Sequence, residues 1–350
     1  EFGRDVCGDL TNTERREWLV TNGIGGFASG TIAGLLTRRY HGLLFVPMQP
    51  PVGRMLFVSK IEETAVYAKH TYPLHVDRWT GGLLEPNGYQ QLEQFKLIGT
   101  TPVWTFAFAD AQLEKRIWMQ QGANTTYVRY HYRRGTEPLT FNARVLVNYR
   151  NAHNNSHVDS WEMKIEPIKK GLQVTAYDGA MPYYLLSDRA VATPKHDWYR
   201  RFFLMREANR GLDAIEDHLH AGDFEVTLQP GESVTFVFSA EARPNTDGAA
   251  AFAERQQYEA SLLAKAQYTC SDPAYKPYID QLILTADQFV VKRPLPTRPN
   301  GRSILAGYHW FSDWSRDTMI ALPGLLLTTG RFEDAATILR TYAYFIDQGM

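Results

Sequence analysis

The chain has 350 residues and a formal net charge of −1; 44% of the residues are hydrophobic and 13% are aromatic. This length leaves room for two domains or one large one, and it is too long for a single ordinary β-sandwich. The sequence has no block of Lys and Arg, which argues against nucleic acid and membrane surfaces as partners. Its longest apolar stretch, residues 319–327, is far shorter than the ~20 residues that span a bilayer.

Two cysteines, Cys7 and Cys270, lie far apart in the sequence. They exclude a disulfide scaffold and a thiolate zinc site, and they favour a reducing compartment. The histidines lack the spacing of metal ligands, and no apolar signal-peptide core is visible near residue 1. We therefore expect a cytoplasmic protein without a metal site.

Residues 18–240 are predicted to form short strands, because apolar and polar residues alternate between turn residues. Two hairpins of β-branched and aromatic residues are predicted, from 125–132 with 139–147 and from 224–228 with 233–238. Further strands are predicted at 56–67, 103–108 and 113–118. This number of strands favours two stacked antiparallel sheets, so residues 1–245 are predicted to be a large β-sandwich.

The spacing of apolar residues becomes helical after the sandwich. Apolar side chains recur at helical intervals over residues 275–290 and 332–346, so everything after about residue 247 is predicted to be α-helical. These amphipathic helices have few other helices to pack against, which predicts a truncated α domain. We place a helical linker at 246–272 and the incomplete α domain at 273–350.

A glycine-rich stretch, residues 23–28, matches the dinucleotide-binding pattern weakly. The residues after it do not form a convincing amphipathic helix, and the first acidic residue that could hold a ribose, Glu62, lies well beyond the expected offset of ~20 residues. A hairpin turn or bulge with glycine at positive φ is favoured. No cofactor is therefore predicted.

A cationic cluster of Arg38, Arg39 and His41 stands directly before an apolar strand. These side chains could reach a neighbouring domain or a ligand. The alternative, a satisfied cluster at the end of a strand, is favoured. The three residues are therefore candidates for an interdomain contact.

The richest mixture of polar and aromatic residues lies where a loop is predicted to run into a helix. Aromatic faces cover the apolar faces of sugars, while carboxylate and guanidinium groups hydrogen-bond adjacent hydroxyls. The candidate sugar-binding residues are Trp310, Asp313, Trp314, Arg316 and Asp317. In the alternative interpretation, Asp313 caps the helix, Arg316 and Asp317 form a local ion pair, and the indoles belong to the core.

Two motifs resemble the bacterial and archaeal-type glycogen debranching enzymes, relatives of amylo-α-1,6-glucosidase. The first motif is residues 17–31 continuing to 37–44, and the second is residues 286–289 followed by 306–324. The sequence departs from the family pattern at His309, where Pro is expected, and at Ser315, where Gly is expected. The resemblance implies a sandwich followed by the first helices of a truncated (α/α)6 barrel.

By this resemblance, Trp314, Arg316 and Asp317 line the subsite of the terminal glucose and hold the substrate. The acid and base of an inverting glycosidase are two carboxyl groups ~6.5–9.5 Å apart. In the family they are expected downstream, beyond Met350, so the 350-residue chain is itself expected to be inactive. Asp317 is a less favoured candidate for the acid.

The resemblance also implies an activity, which is hydrolysis of α-1,6-linked glucose at the branch points of glycogen, with inversion, by the full-length protein. α-Glucan would then be the partner. Two alternatives stay open. A glucoamylase-like α-1,4-glucosidase or a related barrel hydrolase could use the same residues, since they suit any terminal glucose, and the sandwich could bind α-glucan without catalysis.

Overall fold

The computed structural model of the chain describes residues 1–158, 160–266, 268, 270 and 272–347. Strands dominate the part before residue 240, as the alternation of apolar and polar residues predicts. In chain order they are β1 (Glu17–Thr21), β2 (Phe27–Thr31), β3 (Gly42–Gln49), β4 (Val52–Tyr67), β5 (His70–Pro73), β6 (Leu92–Ile98), β7 (Thr101–Phe108), β8 (Ala111–Met119), β9 (Thr125–Arg134), β10 (Leu139–Asn151), β11 (Lys164–Ile168), β12 (Gly171–Thr175), β13 (Tyr183–Ser187), β14 (Val191–Phe203), β15 (Ile215–Leu228) and β16 (Ser233–Ser239).

Within the described residues, these strands form two eight-stranded antiparallel sheets. The first has the order β1-β2-β3-β4-β10-β15-β14 with β5 paired to β4, and the second has the order β11-β12-β13-β16-β9-β8-β7-β6. Buried rings from the two sheets meet between them: Tyr130 and Phe141 have centroids 4.3 Å apart, and Phe224 and Phe236 5.7 Å apart. The prediction of a large antiparallel β-sandwich is confirmed.

The two predicted hairpins are wrong in their pairing, although all four strands exist. β9 and β10 lie in different sheets, and so do β15 and β16. The turns between them therefore cross from one sheet to the other. Alternation gives each strand one apolar face, and this face is the same whether the next strand lies beside it or opposite it, so the pattern cannot distinguish the two arrangements.

The glycine-rich stretch forms the turn of a true hairpin between β1 and β2. Gly23 and Gly25 have φ values of 72° and 97°, in the left-handed region that favours glycine. A Cβ atom on Gly25 would lie 2.5 Å from the carbonyl oxygen of Pro51, so a side chain does not fit there. The predicted turn is confirmed, and a strand follows it where a dinucleotide fold has a helix.

The helices lie at the beginning of the chain, in one sandwich connection and after the sandwich. In chain order they are α1 (Arg4–Cys7), α2 (Leu10–Thr13), α3 (Met205–Ala208), α4 (Gly248–Lys265), α5 (Lys276–Gln288), α6 (Ser315–Leu322) and α7 (Phe332–Ala343). No helix in the described part of the chain is long and apolar enough to span a membrane.

The prediction that everything after about residue 247 is helical is wrong at two short strands. These are β17 (Val290–Lys292) and β18 (Arg302–Ile304), which pair with each other. Val290 and Val291 continue the apolar spacing of α5, but β-branched residues favour the extended backbone. The strands flank the loop of residues 293–301, and residues 305–314 lead from β18 to α6.

The part after the sandwich has two kinds of packing. α4 lies on the second sheet, where the ring of Phe252 meets the edge of Trp118 at 5.0 Å. β17, β18, α6 and α7 share a small core of their own, formed by Val290, Ile304, Leu322, Leu326, Ala335 and Ile338. The domain boundaries at 245 and 273 stay a prediction.

One ion pair joins the two sheets inside the sandwich. Glu63 of β4 pairs with Lys115 of β8 and accepts a hydrogen bond from the Tyr130 hydroxyl at 2.7 Å. Burial raises the pKa of Glu63, but the Lys115 ammonium and the Tyr130 hydroxyl outweigh burial and hold the pKa below its usual range. The carboxylate therefore stays charged inside the core.

We expect Lys115→Met to lower the free energy of unfolding by about 3–5 kcal/mol, because the Glu63 carboxylate would remain buried without its partner. Urea denaturation followed by circular dichroism measures the loss. The double variant Glu63→Gln/Lys115→Met should lose less. Lys164→Met removes half of an exposed pair and should cost less than about 1 kcal/mol; equal losses for the two single variants would contradict this account.

Candidate functional site

The aromatic segment, residues 306–314, connects β18 to α6. Two backbone hydrogen bonds close it into a compact loop: Ala306 N–H donates to the carbonyl of Ser312 at 2.9 Å, and Phe311 N–H donates to the carbonyl of Gly307 at 3.0 Å. The loop thus satisfies part of its own backbone, which leaves its side chains available for the sandwich and for a ligand.

Tyr308 and His309 fix the aromatic segment to the sandwich. His309 Nε2 lies 2.7 Å from Ser29 Oγ, which itself donates to the carbonyl of Trp18 at 2.8 Å. The serine proton is therefore in use, so His309 Nε2–H is the donor. Burial lowers the pKa of His309 to about 3, which keeps the ring neutral. The ring of Tyr308 packs edge-on against Phe27 at 5.5 Å.

Arg54 of β4 makes a second contact with the aromatic segment. Its guanidinium group lies 5.6 Å from the ring of Phe27 and 5.8 Å from the ring of Tyr308. Nη2 donates to the carbonyl of Phe311. Arg54 is only 6% exposed, and its Nη1 has no hydrogen-bond partner among the described residues. One buried donor at this contact is therefore unsatisfied.

Trp310 is held between cationic side chains of the sandwich. The guanidinium groups of Arg38 and Arg210 lie 5.6 and 5.2 Å from its ring centroid, a favourable cation–π arrangement. Arg38 is in turn oriented by Glu17, at 2.8 Å. Burial would raise the pKa of Glu17, but the hydrogen bonds and charges of His41 and Arg38 lower it to about 2.

A groove of about 330 Å³ runs between the aromatic segment and the sandwich. This volume is at the lower end of ligand-binding pockets. Aromatic rings and polar groups share its lining, which consists of Val52, Gly53, Arg54, Asn151, His153, Trp310, Phe311, Ser312 and Trp314. Trp314 is 54% exposed, so its face is open to a ligand.

The candidate sugar-binding residues other than Asp313 lie in or near this groove. Trp310 and Trp314 line it. Arg316 and Asp317 follow on the first turn of α6 and are not part of its lining. Their Nε and Oδ2 atoms are 3.7 Å apart, and the side chains are 79% and 41% exposed, so both remain available to a ligand. The local ion pair of the alternative interpretation is therefore present. Trp310 packs against the buried cluster around Phe27, whereas Trp314 is exposed.

Asp313 has a different environment from the other candidates. Its carboxylate lies 3.2 Å from Arg293 Nε, and its side chain is only 7% exposed. It does not cap the helix either, because the residue at the N-cap of α6 is Trp314 and no side chain accepts a bond there. Asp313 therefore holds the loop after β17.

The three residues of the cationic cluster before β3 lie in two different environments. Arg38 reaches the aromatic segment, and the ring of His41 lies 6.0 Å from that of His309. Arg39 is buried in the sandwich, where it donates to the carbonyl of His153 at 2.6 Å. The structure places Arg38 and His41 at the contact between the two parts of the chain, and Arg39 within the strand-end cluster.

Glu17, His41 and His309 bring possible metal ligands within 4.8 Å of one another. Nδ1 of His41 accepts the Thr37 N–H at 3.2 Å, so a neutral His41 carries its proton on Nε2. His309 Nε2–H donates to Ser29. Neither Nε2 atom then offers a lone pair to a metal ion.

Glu62, His75 and Asp77 form a second group of this kind. Its carboxylates already have cationic partners, Lys60 beside Asp77 and Arg144 2.9 Å from Glu62. A divalent ion would add charge to a buried cluster that is already balanced. The expectation that the protein has no metal site stays a prediction.

No sequence pattern predicts the residues on the sandwich side of the groove. Arg54 is in β4 and Asn151 ends β10, and the pairing of these two strands brings them together. His153 lies in the turn that follows. An Asn and a His near a strand end are ordinary turn residues when read alone, so only the folded sheet reveals that they face Trp310 and Trp314.

The sequence was compared with known families and solved structures. Residues 16–235 match the family described as glycogen debranching enzyme N terminal, and residues 284–350 match the family described as amylo-alpha-1,6-glucosidase. The chain therefore belongs to the glycogen debranching enzyme N-terminal family, and the resemblance seen in the sequence is confirmed. No curated protein matches the sequence.

Three solved structures are similar to the chain at 10–11% identity. A bacterial glucoamylase complexed with acarbose has a TM-score of 0.43, covering 95% of this chain and 50% of that one. A putative kojibiose phosphorylase from the human microbiome has 0.37, covering 78% and 39%. A 4-alpha-glucanotransferase from Thermococcus litoralis has 0.27, covering 58% and 29%. These scores are too low to carry an argument, and the chain spans about half the length of the glucoamylase.

We expect Glu17→Gln to lower the free energy of unfolding at pH 7 by up to about 3 kcal/mol, because the pKa of Glu17 falls from 4.5 to about 2 on folding. A carboxyl group whose pKa is lowered by folding stabilises the fold at pH values above its unfolded pKa. The difference in unfolding free energy between wild type and the variant should therefore shrink as the pH falls from 4.5 towards 2. Urea denaturation at several pH values measures it.

The exposed Glu162 provides the matched control. Glu162→Gln should change the free energy of unfolding by less than about 0.5 kcal/mol at any of these pH values. A cost of Glu17→Gln that stays constant from pH 7 to pH 2 would rule out the contacts of the charged Glu17 with His41 and Arg38 as its cause.

Proposed function

We propose that the full-length protein in which this chain occurs hydrolyses α-1,6-linked glucose from branched α-glucan, with inversion. The observation that supports this proposal most is the match of residues 284–350 to the amylo-alpha-1,6-glucosidase family. Those residues include the exposed start of α6, where Trp314, Arg316 and Asp317 stand beside the groove. Neither a cofactor nor a metal is required, and the protein is proposed to work in the cytoplasm.

Three side chains at the start of α6 are suited to hold a terminal glucose. Trp314 offers an exposed aromatic face to the C–H side of the ring. Arg316 and Asp317 offer donors and acceptors to adjacent hydroxyls, and their weak mutual contact at 3.7 Å costs little to rearrange. A hydrogen bond to a charged group contributes about 1.5–3 kcal/mol. We assign these residues to substrate binding and leave Asp313 out.

The acid and base are proposed to lie beyond Met350, in an (α/α)6 barrel that begins with α5, α6 and α7. An inverting enzyme needs two carboxyl groups ~6.5–9.5 Å apart. The exposed apolar side chains of these helices, such as Leu282, Ile320 and Leu339, would be covered by further barrel helices. The chain by itself is therefore expected to bind α-glucan without hydrolysing it.

Asp317→Asn should weaken the binding of panose, a trisaccharide with a terminal α-1,6-linked glucose, by about tenfold, because it replaces a charged acceptor with a neutral amide. Its free energy of unfolding should change by less than about 0.5 kcal/mol. Titration calorimetry and urea denaturation measure the two effects. Asp313→Asn is the matched control: it should destabilise the fold by removing the partner of Arg293 and leave the affinity of the folded fraction unchanged. Weaker panose binding by Asp313→Asn together with destabilisation by Asp317→Asn would contradict the roles proposed here.

The full-length protein should release glucose from a branched limit dextrin, and it should cleave panose faster than maltotriose because the proposed linkage is α-1,6. Inversion predicts that β-glucose appears first, which NMR of the early product detects. Faster cleavage of maltotriose would identify the glucoamylase-like alternative. A folded protein that releases no glucose from any of these substrates would contradict both enzyme hypotheses.

A further inference from the structure

The groove has a polar wall that does not come from α6. This wall belongs to the sandwich and consists of Arg54 in β4, Asn151 at the end of β10 and His153 in the turn after it. The opposite wall carries Trp310 and Trp314. A ligand in the groove would therefore touch the sandwich and the aromatic segment at the same time.

Asn151 offers an oriented amide to the groove. Its Oδ1 accepts the His153 N–H at 2.9 Å, which fixes the side chain. In the described part of the chain its Nδ2 makes no hydrogen bond, and the residue is exposed. Two N–H donors of a fixed amide are therefore available for the oxygen atoms of a ligand.

His153 offers one ring nitrogen. Its Nδ1 lies 3.1 Å from the Tyr40 hydroxyl, so that side of the ring is in use. Burial lowers the pKa of His153, and the charges of Arg54 and Arg39 lower it further, so the ring is neutral at neutral pH. A neutral imidazole with one nitrogen held suits a hydroxyl, which can donate to it or accept from it.

Arg54 adds a buried cationic group to the wall. It lines the groove, it is more than nine-tenths buried, and its Nη1 has no acceptor among the described residues. A buried donor without an acceptor costs about 1–3 kcal/mol, more when the group is charged.

We propose that Arg54, Asn151 and His153 of the sandwich form a glucan-binding wall opposite Trp310 and Trp314. The choice of α-glucan rests on the proposed function. The exposed indole of Trp314 suits the C–H face of a glucose unit, while the Asn151 amide and the neutral His153 imidazole suit its OH groups. The sandwich wall binds glucose units beyond the terminal one, which α6 holds.

Titration calorimetry of the 350-residue chain with maltopentaose and with isomaltose tests the wall. Asn151→Asp keeps Oδ1 for the His153 N–H and removes both amide donors, and His153→Asn removes the free ring nitrogen. Each should weaken maltopentaose binding about three- to tenfold. The loss should be smaller for isomaltose, which has only one glucose unit beyond the terminal one. His157→Ala is the control, since His157 pairs with Asp213 at 2.6 Å outside the groove, and its affinities should match wild type.

The possible failures are distinguishable. If Asn151→Asp and His153→Asn fold and bind maltopentaose as tightly as wild type, while Asp317→Asn weakens both sugars, the sandwich wall is wrong and the proposed function stands. If the wild-type chain binds neither sugar, the wall and the proposed function are both wrong. A larger loss of affinity for maltopentaose than for isomaltose supports the wall.

Discussion

The docking of the aromatic segment on the sandwich forms the groove, and the hydrogen bond from His309 to Ser29 is the most buried polar contact in that docking. The bond is 2.7 Å long and buried, and a neutral imidazole makes it as donor. The net contribution of this hydrogen bond to stability is only about 0.5–1.5 kcal/mol, but removing either side chain would leave the other as a buried polar group without this partner. A proline here, as in the family pattern, has no side chain that could make this bond. In this chain the position of Trp310 and Trp314 therefore depends on an interaction between two distant parts of the sequence.

The ion pairs around the groove differ in burial, and this difference separates structural residues from those that are free to bind. Asp313 and Arg293 lie 3.2 Å apart with a carboxylate that is almost completely buried, so they hold the loop. Arg316 and Asp317 lie 3.7 Å apart at the surface, where such a pair contributes little. The same pair of charged groups thus stabilises the fold at Asp313 and is exposed at the surface at Asp317.

Much of the fold could be predicted from the sequence, because strand alternation and the apolar spacing of α5 and α7 are local properties. The partner of each strand is not local, which is why both predicted hairpins have the wrong pairing. For the same reason the role of Asp313 depends on Arg293, which the sequence places in a separate loop. The sandwich wall could not be predicted from the sequence. Arg54, Asn151 and His153 form one surface of the groove only through the pairing of β4 with β10 and the docking of the aromatic segment.

The central claim is that the sandwich and the start of α6 together bind one glucan chain. A crystal structure of the chain with maltopentaose, grown well above the dissociation constant measured in solution, tests it most directly. The account predicts a glucose ring against the face of Trp314, its non-reducing end at Arg316 and Asp317, and a neighbouring unit within hydrogen-bond distance of Asn151. An ordered sugar elsewhere on the molecule, with the groove free of sugar, would contradict the account.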